Sequence, residues 1–136
     1  MSSRLYAIRD FKFEDTSFIM ATFLRGLYYG DSWFSEMPKD VFMDNYKRVA
    51  AALLANPKVH VKVACLKDDE DVILGYSILQ DGDVVNWVFV KSVWRKQGIG
   101  RSLLPDKPKA VTHLSELGRQ LMPKLPGCIF DPFLVG

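Results

Sequence analysis

Arg95-Lys96-Gln97-Gly98-Ile99-Gly100 follows an apolar run, Val84 to Val90, and opens a short helical stretch, Arg101 to Leu104. The residues read as a strand, a glycine turn and a helix start. Gly98 and Gly100 remove side chains, so backbone N–H groups can close on an oxyanion. The first N–H groups of the following helix are unpaired and carry a partial positive charge. Arg95, Lys96 and Arg101 add full charges. Together these suit a diphosphate. A dinucleotide-binding glycine loop would have a glycine where Arg95 stands and an acidic residue downstream closing a βαβ unit. Neither is evident in this sequence.

The charge around the turn agrees with that reading. Lys91, Arg95, Lys96, Arg101, Lys107 and Lys109 stand against a single acid, Asp106, between residues 91 and 109. Such an excess attracts polyphosphates, although a solvated basic surface is the plain alternative. The basicity is local, because the net charge of the chain is only +2. That value argues against a dedicated nucleic-acid binder.

A length of 136 residues predicts one domain, 1–136. Hydrophobic content of 49% and charged content of 25% are those of a soluble globular protein, so a core can form without metal or disulfide staples. Cys65 and Cys128 lie far apart with no metal-ligand spacing, and no metal site is expected. No apolar run reaches membrane length and no leader-like apolar region is seen, so the expected compartment is the cytoplasm.

Leu5 to Arg9 reads as a strand. Glu14-Asp15-Thr16-Ser17 supplies helix-start chemistry, and Phe18, Ile19, Thr22, Phe23 and Leu27 follow at helical spacing up to Gly30. A second helix begins near Pro38, with Phe42, Tyr46, Val49 and Leu53 as its apolar stripe, and Asn56-Pro57 ends it. The period then changes to two: Val59, Val61, Val63 and Cys65 mark a strand, and Val72 to Leu79 a second with a bulge expected at Gly75. Asp81-Gly82 signals a hairpin into the strand Val84 to Val90. Pro105 and Pro108 cut the next helix short. Ala110 to Leu114 predicts a strand, Ser115 to Leu125 a weak helix interrupted by Pro123, and Gly127 to Val135 a last strand.

The run from Val88 to Leu104 resembles the signature segment of the GNAT superfamily, the GCN5-related N-acetyltransferases. There a strand, a short polar connection, an aromatic (here Trp94), Arg-x-x-Gly-x-Gly, a small residue and two leucines follow in this order. The element order read above also matches that family. The resemblance implies an α/β (α+β) fold. Its central sheet is mixed and mostly antiparallel, flanked by helices in the order β-α-α-β-β-β-α-β-α-β, here with shortened C-terminal elements. It implies acetyl-coenzyme A as co-substrate and no metal. The diphosphate would rest on Arg95, Lys96, Gln97, Gly98, Ile99, Gly100 and Arg101. The main chains of Val88 and Val90 would serve the pantetheine arm and the thioester, where the fourth strand splays from the fifth.

Many members of that family carry a Glu on the fourth strand as base and a Tyr in the last helix as acid. This strand has Asn86 and Trp87 instead, and all five tyrosines lie at 6, 28, 29, 46 and 76. The catalytic candidates are therefore Asn86, which can orient a water, and Ser115, acting through water. His113 is close in sequence and titrates in the right range, against a plain reading as a strand-end residue. On the acceptor side, Asp31 and Glu36 would attract a cationic amine, with Trp33 and Phe34 packing over it. The function implied is direct transfer of an acetyl group to a primary amine on a small molecule or protein. The alternative is a catalytically degenerate binding, adaptor or structural protein on the same fold, of the small divergent kind found in phages. A homodimer or a separate protein partner is left open.

Overall fold

Residues 5–135 are described by the structure, a computed structural model. Six strands form one sheet in sequence order: β1 (Tyr6–Asp10), β2 (Val59–Leu66), β3 (Asp69–Gln80), β4 (Val84–Val90), β5 (Ala110–Val111) and β6 (Ile129–Phe130). β1 to β4 are antiparallel, whereas β5 and β6 add in parallel. The helices are α1 (Thr16–Gly30), the single turn α2 (Ser32–Ser35), α3 (Lys39–Ala55), α4 (Ile99–Leu103) and α5 (Glu116–Leu121). This is the mixed, mostly antiparallel sheet that the sequence predicts.

The two-residue period sorts side chains onto two faces. Val61, Val63, Tyr76, Ile78 and Trp87 pack with Ile19, Phe23 and Leu27 of α1 and Phe42 and Leu53 of α3. Tyr6, Ala64, Leu79, Val85, Val88 and Val90 pack on the other face with Ile99 and Leu103 of α4 and Leu117 of α5. Each large apolar side chain buried this way contributes about 1.5–3 kcal/mol. α1 is fixed at its start by Asp15, which accepts two hydrogen bonds from Arg9 at 2.8 and 2.9 Å and one from the Lys12 amide at 2.8 Å. Burial alone would raise the Asp15 carboxyl. Arg9 and the Lys12 amide outweigh burial and hold it below its ordinary pKa. Gly26 lets α1 approach the sheet, since a Cβ there would lie 2.6 Å from Trp87 Cζ2.

β2 has the predicted bounds, and the hairpin at Asp81-Gly82 forms with both residues left-handed, at φ 53° and 85°. The bulge expected at Gly75 falls one residue earlier: Ala64 and Cys65 face Gly75 and Ile73, leaving Leu74 over. On α3 the stripe rotates slightly, so Ala50 is buried and Val49 exposed. The C-terminal strands are much shorter than predicted. β5 stops because the chain leaves the sheet after Thr112 to cap α5 with Ser115. β6 stops because the Asp131 side chain accepts from the Phe133 amide and starts a one-turn 3-10 helix with Pro132 at its head. Pro123 interrupts nothing. It stands in the 3-10 turn Met122–Lys124 that extends α5, where no amide is needed.

Candidate functional site

β4 carries one residue more than its partner. Ile78 and Leu79 of β3 face Trp87 and Val85, so Asn86 is a bulge residue. The Lys91 amide donates to Leu74 at 2.8 Å, which fixes the phase of the ladder beyond it. Phe89 therefore turns its backbone groups toward β3, and Val88 and Val90 turn theirs to the opposite edge. β5 pairs with β4 only at Val84 and Val85, so that edge is open from Trp87 onward. The carbonyls there are taken: the Ser115 hydroxyl donates to Val88 O, and Arg95 Nε donates to Val90 O at 3.0 Å. The N–H groups of Val88 and Val90 have no protein acceptor among the described residues.

The chain then enters the glycine turn. Lys96 and Gly98 are both left-handed, at φ 65° and 85°, with Gln97 between them. Alternating handedness of this kind curls successive amides around one concavity. Gly98 also precedes α4, which begins at Ile99, two residues earlier than the sequence suggests. Buried Ile99 and Leu103 anchor the short helix, Ser77 donates to the Leu103 carbonyl at 2.7 Å, and the Tyr6 and Ser102 hydroxyls bond at 3.0 Å. The turn is thus held from below. Among the described residues no protein acceptor takes the amides of Lys96, Gln97, Gly98, Ile99, Gly100 or Arg101.

Two hollows meet at this corner. One, of about 430 Å³, is lined by Val90, Arg95, Lys96, Gly98, Gly100 and Arg101, with Leu117, Leu121 and Lys124 opposite. Its charged residues are all basic. The other, of about 440 Å³, lies between α1, the open edge of β4 and the start of α5. Arg95 and Leu117 line both, Val88 borders the second and Val90 the first.

No family model matches the sequence, and no curated protein matches it. Solved structures do. A putative acetyl transferase from Pyrococcus furiosus shares 18% identity over 91% of this chain and 79% of its own, with a TM-score of 0.55. The ribosomal-protein-alanine N-acetyltransferase of Brucella melitensis biovar Abortus 2308 shares 16% over 89% and 90%, also at 0.55. A GCN5-related N-acetyltransferase from Rhodopseudomonas palustris shares 21% over 76% of this chain, with a TM-score of 0.51. The chain spans 63% of that last protein's length. This chain has the GNAT fold.

Within the GNAT fold, the residues expected at the cofactor side come together. Arg95, Lys96, Gly98, Gly100 and Arg101 line the basic hollow, Gln97 is exposed beside them, and Ile99 is their buried anchor. Arg95 is clamped, donating to Glu116 at 3.2 Å as well as to Val90. Arg101 reaches the Lys124 carbonyl at 3.4 Å.

The proposed catalytic pair is placed differently. Asn86 is fully buried, lines neither hollow, and donates to Gln80 Oε1 at 3.3 Å and Thr112 Oγ1 at 3.0 Å. Ser115 does border the second hollow, but its hydroxyl donates to Val88 and accepts from the Gly118 amide at 2.9 Å. It is the N-cap of α5. His113 bonds Thr112 Oγ1 at 3.0 Å and meets Phe23 and Tyr46 edge-on. Burial lowers its pKa, against a smaller raising effect of a bond with the Asn86 backbone, so it is neutral near pH 7.

Asp31 and Trp33 lie outside both hollows. Asp31 caps α2 by accepting from the Trp33 amide at 2.8 Å and lies 3.9 Å from Arg119. Trp33 is exposed and packs edge-on to Phe34. The residues that do line the second hollow from α1 are Thr22, Arg25, Gly26, Tyr29 and Gly30. Their spacing of three, four and seven is a helical face in its own right, adjacent to the apolar stripe. That spacing was the available signal. Glu116, also on the rim, is visible only through the fold.

Proposed function

We propose that the chain is an acetyl-coenzyme A-dependent N-acyltransferase that acetylates a primary amine by direct transfer. One observation carries this reading: a run of six unpaired amides leads, past Arg95, to the unpaired N–H groups of Val88 and Val90. The donor set fits coenzyme A. The turn from Lys96 to Arg101 would hold the diphosphate with backbone N–H groups, and Lys96, Arg101 and Lys124 would neutralise it. The Val88 and Val90 amides would receive the pantetheine arm and the thioester oxygen, as donors preorganised for charge that develops there.

Acetyl-coenzyme A supplies an acyl carbon activated as a thioester: attack by a neutral amine forms the amide C–N bond, breaks the C–S bond, and passes one amine proton to solvent or the thiolate. Arg25, Tyr29 and Gly30, which line the second hollow from α1, are exposed, so the acceptor would enter past them and its proton would have an exit. Positioning supplies most of the acceleration, because no buried side chain of the hollow is free to act as base. Isothermal titration with coenzyme A is expected to give a dissociation constant on the order of 1–100 μM. No heat at millimolar cofactor would remove the reading.

A second reading rests on the internal bonding of Asn86 and Ser115 and on the lack of a tyrosine in α5. The chain would then bind the cofactor, or a protein, on the same scaffold without turnover. Thiol release measured across a panel of amines separates the two: turnover supports transfer, and bound cofactor without turnover supports the second reading.

A further inference from the structure

We infer that the acceptor amine carries an oxyanion, a carboxylate or a phosphate, and that Arg25 receives it. The inference deepens the acyltransfer reading and rests on it.

The second hollow is a cationic site whose acids are already matched. Glu116 on its rim is bonded to Arg95 at 3.2 Å. Asp31, just outside, lies 3.9 Å from Arg119. Lys39 stands outside the lining, its Nζ 5.5 Å from the centre of the Tyr29 ring. Arg25 is different. It lines the hollow, is exposed, and makes no hydrogen bond, ion pair or ring contact among the described residues. A guanidinium is a planar fork matched to carboxylate and phosphate oxygens, and here the fork is free.

A polyamine acceptor needs several carboxylates for its ammonium groups. This hollow offers one, and a guanidinium holds it. Like charges set face to face oppose binding. An amine with an attached oxyanion meets the reverse situation. Its anionic end pairs with Arg25, the cation of the lining that has no protein partner among the described residues. About 440 Å³ suits a small molecule.

The test measures kcat/KM by thiol release with three amine classes: α-amino acids, phosphoethanolamine, and the amines without an oxyanion, ethanolamine and spermidine. An amino acid or phosphoethanolamine is expected to exceed ethanolamine by tenfold or more, and whichever is better identifies the oxyanion. Arg25→Gln should bring that ratio close to one, mainly by raising KM for the anionic amine, and Arg25→Lys should restore part of it. Spermidine or ethanolamine as the best acceptor would overturn the inference, as would an unchanged ratio in Arg25→Gln. Coenzyme A titration of the wild-type protein is run alongside. Bound cofactor with the wrong acceptor preference overturns this inference alone, whereas absent cofactor binding overturns the acyltransfer reading and this inference with it.

Discussion

The turn from Lys96 to Arg101 and the β4–β5 seam around Asn86 and Ser115 are both rich in polar groups, and the protein treats them in opposite ways. In the seam the side-chain donors of Asn86 and Ser115 are used, Asn86 on Gln80 and Thr112 and Ser115 on Val88, while Asn86 Oδ1 and Trp87 Nε1 stay buried without a hydrogen-bond partner among the described residues. In the turn six consecutive backbone donors have no protein acceptor. A buried polar group must be paired or it costs about 1–3 kcal/mol, so pairing in the seam is architecture. Solvated donors held in a concave turn cost little and remain available. Their places in the pattern of the resembling family made Asn86 and Ser115 candidates for chemistry. Bonding distinguishes them from the groups that are open to a ligand.

The strongest way to break this contrast is to fill the turn. Gly98→Glu places a carboxylate among the amides, and coenzyme A affinity should fall about 100-fold, about 3 kcal/mol. Retained affinity in a calorimetric titration would mean the ligand sits elsewhere. Gly98→Ala sharpens the point. At a φ of 85° it should cost about 1 kcal/mol of stability with a smaller loss of affinity. In the seam the order of effects reverses. Ser115→Ala strips the cap from α5 and leaves Val88 O and the Gly118 amide without their partner, so urea denaturation should show a loss of about 2 kcal/mol. Lost turnover at unchanged stability would instead give Ser115 a chemical role. Gly26→Ala tests the wall between core and hollow. Its Cβ would overlap Trp87, with a cost of about 1–2 kcal/mol on a thermal melt.

The smallest effect concerns pH. The folded pKa of His113 lies below the ordinary 6.5, so the unfolded chain takes up a proton first as pH falls. Its contribution is complete above 6.5 and declines as the pH drops from there toward the lower folded value. Comparing denaturation at pH 7 and pH 5, His113→Gln should lose less stability on acidification than the parent. An equal loss in both would place the acid sensitivity elsewhere.

Much of this was legible in the sequence, for reasons that differ between elements. The glycine turn could be read because Gly98 is the residue type that the left-handed backbone there requires. β2 and the Asp81-Gly82 hairpin could be read because local period and turn chemistry agree. The β5 and β6 segments misled because apolar content does not show where a strand ends, which capping by Ser115 and Asp131 decides. Arg25 was passed over because the apolar stripe of α1 drew the reading to the neighbouring face. Asp31 looked like an acceptor-binding acid because sequence does not show Arg119, 88 residues downstream, arriving beside it.

The surplus residue in β4 has a consequence that no side-chain substitution would reveal. Strands alternate with even and odd, so one inserted position exchanges the parity of everything that follows. Excising Asn86 from the gene would return Val88 and Val90 to the ladder with β3 and turn their neighbours outward. A scan by replacement would find that site tolerant or merely unstable, whereas a scan by single-codon deletion and insertion would read out directly which edge of the sheet the protein presents.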